Sequence, residues 1–351
     1  MVKLCTVDKS LSGRVGELVP KRCWHGCCYM TGAERNDSMA IYLHDFTFRS
    51  DDDESKLLSL ERRTCFASFY PMNIFPTKGL GRVTFDPVTI FYGGNGSGKS
   101  TILNIIATRV KALREIPFKP GQFFDWYVDG VRRLVHGVVE DYEVHVEPLS
   151  FNSEFSEEWK GIPTESRILT SEDVFDKTLN IRGRNREIDR QRDMVAQKWW
   201  AYNVEGRHTN MTSMHGPEYE AWKNQHSMRG KSMSKVIKEE VGFNIKTGSN
   251  GENAFEFFME KVQGNALYLL DEPENILSAK WQVKLASYLE GMARFENCQF
   301  VIATHSPFLL GIRGAKIYDL DSSGVPARKW TELENVREYH AFFKEREGEF
   351  S

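Results

Sequence analysis

The chain has 351 residues, 40% of them hydrophobic, with 46 basic against 49 acidic side chains. That length suits one large domain or two modest ones, and a net charge of −3 excludes a globally basic nucleic-acid binder while leaving room for a local basic patch. Six cysteines are too few for a disulfide scaffold; with no run of about 18 apolar residues and no apolar core in "MVKLCTVDKS", the expected setting is cytoplasmic, without a membrane span or signal peptide.

Residues 1–38 read as an irregular extension rich in glycine, cysteine and charge. Within it, "KRCWHGCC" carries Cys23, His25, Cys27 and Cys28. Soft ligands this dense could hold zinc, with Cys5 or Cys65 completing a site. The spacing lacks a matched second C-x2-C pair, however, and ordinary reduced cysteines are the favoured reading. "AIYLHDFTFRS" (40–50) alternates like a strand, and "DDDESK" (51–56) reads as a solvated acidic turn. "VTFDPVTIFYGG" is expected as a strand running into a glycine-rich loop, and "TILNIIATRVKAL" as the helix after it. Short strand-like pieces such as "RLVHGVVE" and "YEVHVEP" follow between about 118 and 170.

"RGRNREIDRQRDMVAQKWW" (182–200) reads as a charged helix. Its arginines and tryptophans could touch nucleic-acid backbone and bases. The interleaved acids favour a solvated helix with i,i+4 pairs, and a partner-docking surface is a third option. Residues 204–232 are polar and are expected as a long loop. "NAFEFFMEKV" is an amphipathic helix, and "ALYLLDEPE" a buried parallel strand with acids at its end. "WQVKLASYLEGMA" is a helix, "QFVIATHSP" a second buried strand, and "GAKIYDLDSSGV" a terminal strand and turn.

Gly93, four residues, then Gly98-Lys99-Ser100 is the full P-loop spacing. In Gly93-Gly94-Asn95-Gly96-Ser97-Gly98-Lys99-Ser100-Thr101, the glycines let successive N–H groups turn toward phosphate oxygens. The following helix points its positive end at the same charge. Lys99 is expected at the β- and γ-phosphates of ATP, with the Ser100 hydroxyl on Mg²⁺. Asp271 ends an apolar strand, where a carboxylate holds the Mg²⁺ shell. Glu272, next in line, is placed to orient and deprotonate an attacking water. His305 stands just past the next strand, where strand ends gather near a nucleotide, and is placed to sense the γ-phosphate.

Taken in order, "GGNGSGKST", "TGSNGEN", "LYLLDEPENILS" and "ATHSP" resemble an ABC-type ATPase. The resemblance is to the soluble branch that holds SMC, double-strand-break-repair and OLD-like ATPases, closest to small stand-alone bacterial ATPases of AAA type. It covers roughly residues 40–350, with gaps between 105 and 240. It implies an α/β P-loop fold of ABC-ATPase head type: a mixed sheet with a β-rich N-terminal lobe and a helical insertion. Residues 39–350 would then be a single domain, with the insertion at about 175–260. By the same resemblance, Ser249, Gly251 and Glu252 form the signature, whose serine and helix start meet the γ-phosphate bound by a second subunit. Asn250 stands there in place of the usual glycine. Glu274-Asn275-Ile276-Leu277-Ser278 resemble the D-loop, with Ser278 where many relatives carry Asp. Glu172, in "RILTSEDVFD", takes the metal- and water-facing Q-loop position, and Gln122 is the alternative.

The resemblance further implies a homodimer closed around two ATP molecules. One copy would supply Lys99, Asp271, Glu272 and His305, and the other Ser249. With only about 170 residues between Lys99 and Asp271 and no sustained heptads, long coiled-coil arms are not expected. A transporter ATPase is disfavoured by the signature and by "ENILS". Fewer than about 50 residues follow His305, too few for a nuclease module. A separate effector, a nuclease or toxin of the kind found in bacterial anti-phage or toxin-like systems, is therefore the expected partner. The leading expectation is a Mg²⁺-dependent ATPase whose dimer switches that effector. A slow nucleotide-sensing scaffold and a DNA-repair-type clamp stand as alternatives.

Overall fold

The computed structural model describes residues 39–350 apart from 60, 62–64, 130, 133–143, 146–148, 154–160, 207–214 and 246–247. Residues 38–351 form one unit. Cys5, the zinc candidates Cys23, His25, Cys27 and Cys28, and "RLVHGVVE" lie outside the described residues. Cys65 is exposed and free.

Three apolar runs make the centre. β3 (Val88–Tyr92) and β9 (Gln299–Thr304) are buried at every position, and β8 (Leu267–Asp271) at all but its last. Strands read as continuous apolar runs when both faces of a parallel sheet are covered. β7 (Arg167–Thr170), β10 (Lys316–Asp319) and β11 (Ala327–Arg328) complete a six-stranded sheet in the order β11-β10-β3-β9-β8-β7. Only the edge strand β11 is antiparallel. Tyr92 pairs with Thr304, Asp271 with Ala303, and Thr170 with Asp271. The carboxyl ends of β3, β9, β8 and β7 therefore finish in one row, the edge at which open α/β sheets place ligands. α2 (Lys99–Arg109) packs against β8 and β9, its Ile102, Leu103, Ile105 and Ile106 fully buried; α8 (Ala279–Phe295) contributes Leu285 and Leu289 to the other core cluster.

The N-terminal part adds a second, antiparallel sheet. β1 (Asp45–Thr47) lies between β2 (Arg82–Thr84) and β6 (Phe151–Asn152), and β4 (Val131–Arg132) pairs with β5 (Val144–His145). The Gln299 side chain joins the two sheets. It accepts the Tyr42 and Leu43 N–H groups at 2.8 Å each and donates to the Leu43 and Asp86 carbonyls at 2.9 and 3.3 Å. One fully buried amide thus satisfies four backbone groups that burial would otherwise leave unpaired.

Three stretches differ from expectation. "DDDESK" is not a solvated turn but the start of α1 (Asp51–Ser59), where acids suit the helix N-terminus. The stretch after 118 contains α3 (Gln122–Asp129), whose Phe123, Phe124 and Tyr127 fill the core; its aromatic face outweighs the strand-like reading. Within 204–232, Pro217 opens α5 (Pro217–Met228), following Gly216 at φ 101°. The charged segment is helical as read, within α4 (Ser171–Asn203), a helix of 33 residues opened by a Thr170–Asp173 capping box. Its acid–base pairs are spaced i,i+3, Arg190–Glu187 at 2.9 Å and Arg192–Asp189 at 3.3 Å. α6 (Met233–Glu240) and α7 (Asn250–Lys261) follow. Further on come α9 (Pro307–Leu310) and α10 (Glu334–Glu345). Among the described residues no helix is long and apolar enough to cross a membrane.

Glu54 in α1 is fully buried. One carboxylate oxygen accepts the Asn73 N–H and the other has no partner. Burial, with Asp51 nearby, raises its pKa from 4.5 to about 7, against the opposing pull of the Asn73 bond and Arg49. The folded state therefore binds the extra proton between those values, and its stability falls as pH rises from about 4.5 to 7. Glu54→Gln keeps an acceptor for Asn73 and carries no charge. It is expected to be more stable than wild type at pH 8, on the order of 1–3 kcal/mol, with the gain vanishing toward pH 4.5. Urea midpoints at the two pH values check this.

Candidate functional site

The P-loop leaves β3 at Gly93 and re-enters regular structure at Lys99. A Cβ on Gly93 would sit 2.6 Å from Ser97 Oγ, so only glycine lets the loop fold back on itself there. Gly98 takes φ 94°, and a Cβ there would come within 3.2 Å of the Ile74 side chain. Lys99 is buried, and its ammonium donates to the Gly93 and Gly94 carbonyls at 2.8 and 2.9 Å. It also lies 3.3 Å from Glu272 Oε1. The Ser100 hydroxyl donates to Asp271 Oδ1 at 2.9 Å. Asn95 and Gly96 are exposed at the loop's tip. Thr101 is buried and receives a 3.0 Å hydrogen bond from the Tyr70 hydroxyl.

Burial, reinforced by the Glu272 charge, raises the Asp271 pKa from 3.8 to about 6, despite the Ser100 hydrogen bond. This carboxylate is short of positive charge. A hydroxyl and a carboxylate, both hard oxygen donors, are a donor pair that fits Mg²⁺. Glu272 differs. Burial pushes its pKa up, but an Asn275 hydrogen bond and the Lys99 charge outweigh that and bring it below the usual value. It holds φ 45°, a left-handed conformation rare outside glycine, with its N–H on the Ala303 carbonyl at 2.9 Å. Backbone strain of this kind concentrates at functional sites.

A cavity of about 530 Å³ opens beside these groups. Ser100, Asp271, Glu272 and Asn275 line one side, and Arg114, Lys119 and Glu172 another. The first turn of α4 thus delivers Glu172 to the cavity. Gln122, the alternative, begins α3. His305 follows β9, its backbone N–H on Glu274 Oε1 at 2.9 Å. Glu274 itself points inward and is buried, leaving Asn275 and Ser278 as the exposed residues of that turn.

Ser249 caps α7, accepting the Glu252 N–H at 3.3 Å. Gly251 allows α7 to approach α8 closely, since a Cβ there would meet Trp281 at 2.8 Å. No hydrogen bond recorded for Ser249 or Glu252 among the described residues reaches the P-loop of the same chain. Asn250, where the signature usually has glycine, accepts from Arg182 at 2.8 Å. Two contributors escaped the sequence reading. Asp321 accepts the Gly94 N–H at 2.8 Å and Tyr70 props Thr101; both come from loops without a motif, so nothing in the sequence points to them.

Residues 252–311, which carry Asp271, Glu272 and His305, match the family model described as "AAA domain, putative AbiEii toxin, Type IV TA system". No curated protein matches the chain. Three solved structures show loose likeness. The SMC head domain from Thermotoga maritima is 14% identical, covering 80% of this chain and 94% of its own, with a TM-score of 0.31. "An inward-facing conformation of a putative metal-chelate type ABC transporter" is 14% identical, covering 73% and 76%, with a TM-score of 0.29. The Smc head domain with an extended coiled coil bound to the C-terminal domain of ScpA, from Pyrococcus furiosus, is 13% identical, covering 74% and 95%, with a TM-score of 0.32. The P-loop and the mostly parallel sheet make this an α/β P-loop fold, and residues 252–311 within it match the AAA-type family model.

Proposed function

We propose that the chain hydrolyses ATP in a Mg²⁺-dependent reaction, as a dimer that closes on the nucleotide and switches a separate effector. The observation that carries this reading is the pairing of Lys99 with Glu272 at 3.3 Å and of Ser100 with Asp271 at 2.9 Å, with Ser100, Asp271 and Glu272 lining one cavity. Lys99 exchanges its own loop's carbonyls for the β- and γ-phosphates. The inward-turned N–H groups of the loop and the start of α2 bind the same charge. Ser100 and Asp271 would hold Mg²⁺, which neutralises phosphate charge when bound. Glu272 takes the proton of the attacking water, and His305 hydrogen-bonds the γ-phosphate oxygens. Glu172 faces the same cavity and orients the water.

Ser249 and the α7 N-terminus serve the nucleotide of the other copy, which fits the absence, among the described residues, of a hydrogen bond from Ser249 to its own P-loop. Residues 39–350 act as one ATPase domain, with α4–α7 as its helical insertion. The toxin–antitoxin setting in the family description supports a separate effector and a role in bacterial defence. The α4 arginines favour a protein-facing surface over nucleic acid, because Arg190 and Arg192 are paired with acids of their own helix.

The test is solution mass. Glu272→Gln with Mg-ATP is expected to shift from 40.5 kDa to twice that by light scattering. Adding Ser249→Arg is expected to abolish the shift. A monomer that binds ATP without pairing would overturn the composite site.

A further inference from the structure

His305 is held at its backbone from both sides. Its N–H donates to Glu274 Oε1 at 2.9 Å, and its carbonyl accepts from Asn335 Nδ2, in the first turn of α10, at 3.1 Å. The Thr304 hydroxyl donates to the same Glu274 oxygen at 2.6 Å. Two buried polar atoms in this wall have no hydrogen-bond partner: Glu274 Oε2 and His305 Nδ1. They belong to neighbouring side chains, for Nδ1 lies 3.3 Å from Glu274 Oε1 without hydrogen-bond alignment. The Glu274 side chain is 4% exposed, that of His305 42%. Since Nδ1 is buried, the exposed edge of the ring is the Nε2 edge. Buried orphan groups are rare, and two on adjoining side chains call for a common explanation.

We propose that Glu274 is a positioning residue for His305. Its carboxylate accepts the Nδ1–H, which fixes the tautomer and the ring orientation. Only side-chain rotation is needed, because both backbone groups are already pinned. With Nδ1 committed to Glu274, Nε2 is the nitrogen offered to the nucleotide. A carboxylate or carbonyl behind an imidazole commonly decides which nitrogen works. The kinetic arm of the test rests on the ATPase reading given above; the spectroscopic arm does not.

The experiment is ¹⁵N NMR of the full chain labelled at histidine, with the His305 signals assigned by their loss in His305→Ala. Wild type is expected to show Nδ1 protonated. Glu274→Gln is expected to show Nδ1 unprotonated, because the amide donates to it. An unprotonated Nδ1 in wild type overturns the proposal even if Glu274→Gln does not fold, and so does an unchanged tautomer in the variant. In turnover, Glu274→Gln is expected to lower kcat about 10- to 100-fold with KM nearly unchanged. It should add nothing in a His305→Ala background. An undiminished loss there would make Glu274 merely structural. A chain with no turnover at all would sink the ATPase reading and leave the spectroscopic test standing.

Discussion

Glu272→Gln is expected to lower ATP turnover about 100-fold or more while nucleotide binding stays within roughly threefold of wild type. The reason is its place at the end of β8. The carboxylate lies 3.3 Å from the Lys99 ammonium and accepts from Asn275 at 3.0 Å, which keep it ionised at neutral pH. Glutamine has the same size and can still accept from Asn275, but it cannot take a proton. General bases contribute about 10²- to 10⁴-fold, and that contribution is what the variant removes. On the proposed reading, the ion pair with Lys99 sets an order of events: Lys99 would leave this carboxylate for the phosphates before Glu272 is free to act. Single-turnover rates beside an ATP titration check the prediction. A loss smaller than tenfold would place the base elsewhere, with Glu172 the first residue to examine.

Lys99→Ala is expected to raise the Kd for ATP about 100-fold or more and to leave thermal stability within a few degrees of wild type. A charge-assisted contact to phosphate in a partly dry site contributes about 1.5–3 kcal/mol, and on the proposed reading this lysine would contact two phosphates. Stability changes only modestly because two of the three groups it leaves behind are not stranded, and the buried Gly93 carbonyl alone loses its partner. The Gly94 carbonyl is at an exposed residue, and the Glu272 side chain is 23% exposed, so water reaches both. Lys99→Arg is expected to restore little of the binding. A planar fork cannot occupy the position of a compact ammonium sitting 2.8 and 2.9 Å from two adjacent carbonyls. Calorimetric titration with ATP, together with melting curves, checks both variants. A strong drop in melting temperature would make Lys99 a structural residue of the loop.

Residues whose chemistry depends on a local pattern were legible in the sequence. The P-loop is a turn between a strand and a helix, so Lys99 and Ser100 are set by their neighbours. Asp271 and His305 end apolar strands, and parallel pairing then aligns those ends without further information. Residues whose role depends on distant partners were not legible. Glu274 lies in the "DEPE" run, but only the fold places it under Thr304 and His305. Tyr70 and Asp321 touch the P-loop from loops 31 and 227 positions away, and loops leave no periodic trace. The acidic run 51–56 misled for a related reason. Three aspartates announce solvent, and only the tertiary core buries the glutamate that follows them.

The strand order has a consequence for how the chain is made. β3 has both its sheet neighbours, β9 and β10, more than about 200 residues later in the sequence. A ribosome adding about 5–20 residues per second needs on the order of 10–40 s to reach β9. Through that interval the five residues of β3, all buried in the folded chain, and the helix behind them have no sheet to join. Gln299, which ties the N-terminal strands to the central sheet, emerges just as late. The half of the chain made first cannot close its core by itself, and the nascent protein needs shelter from aggregation until its last third is synthesised.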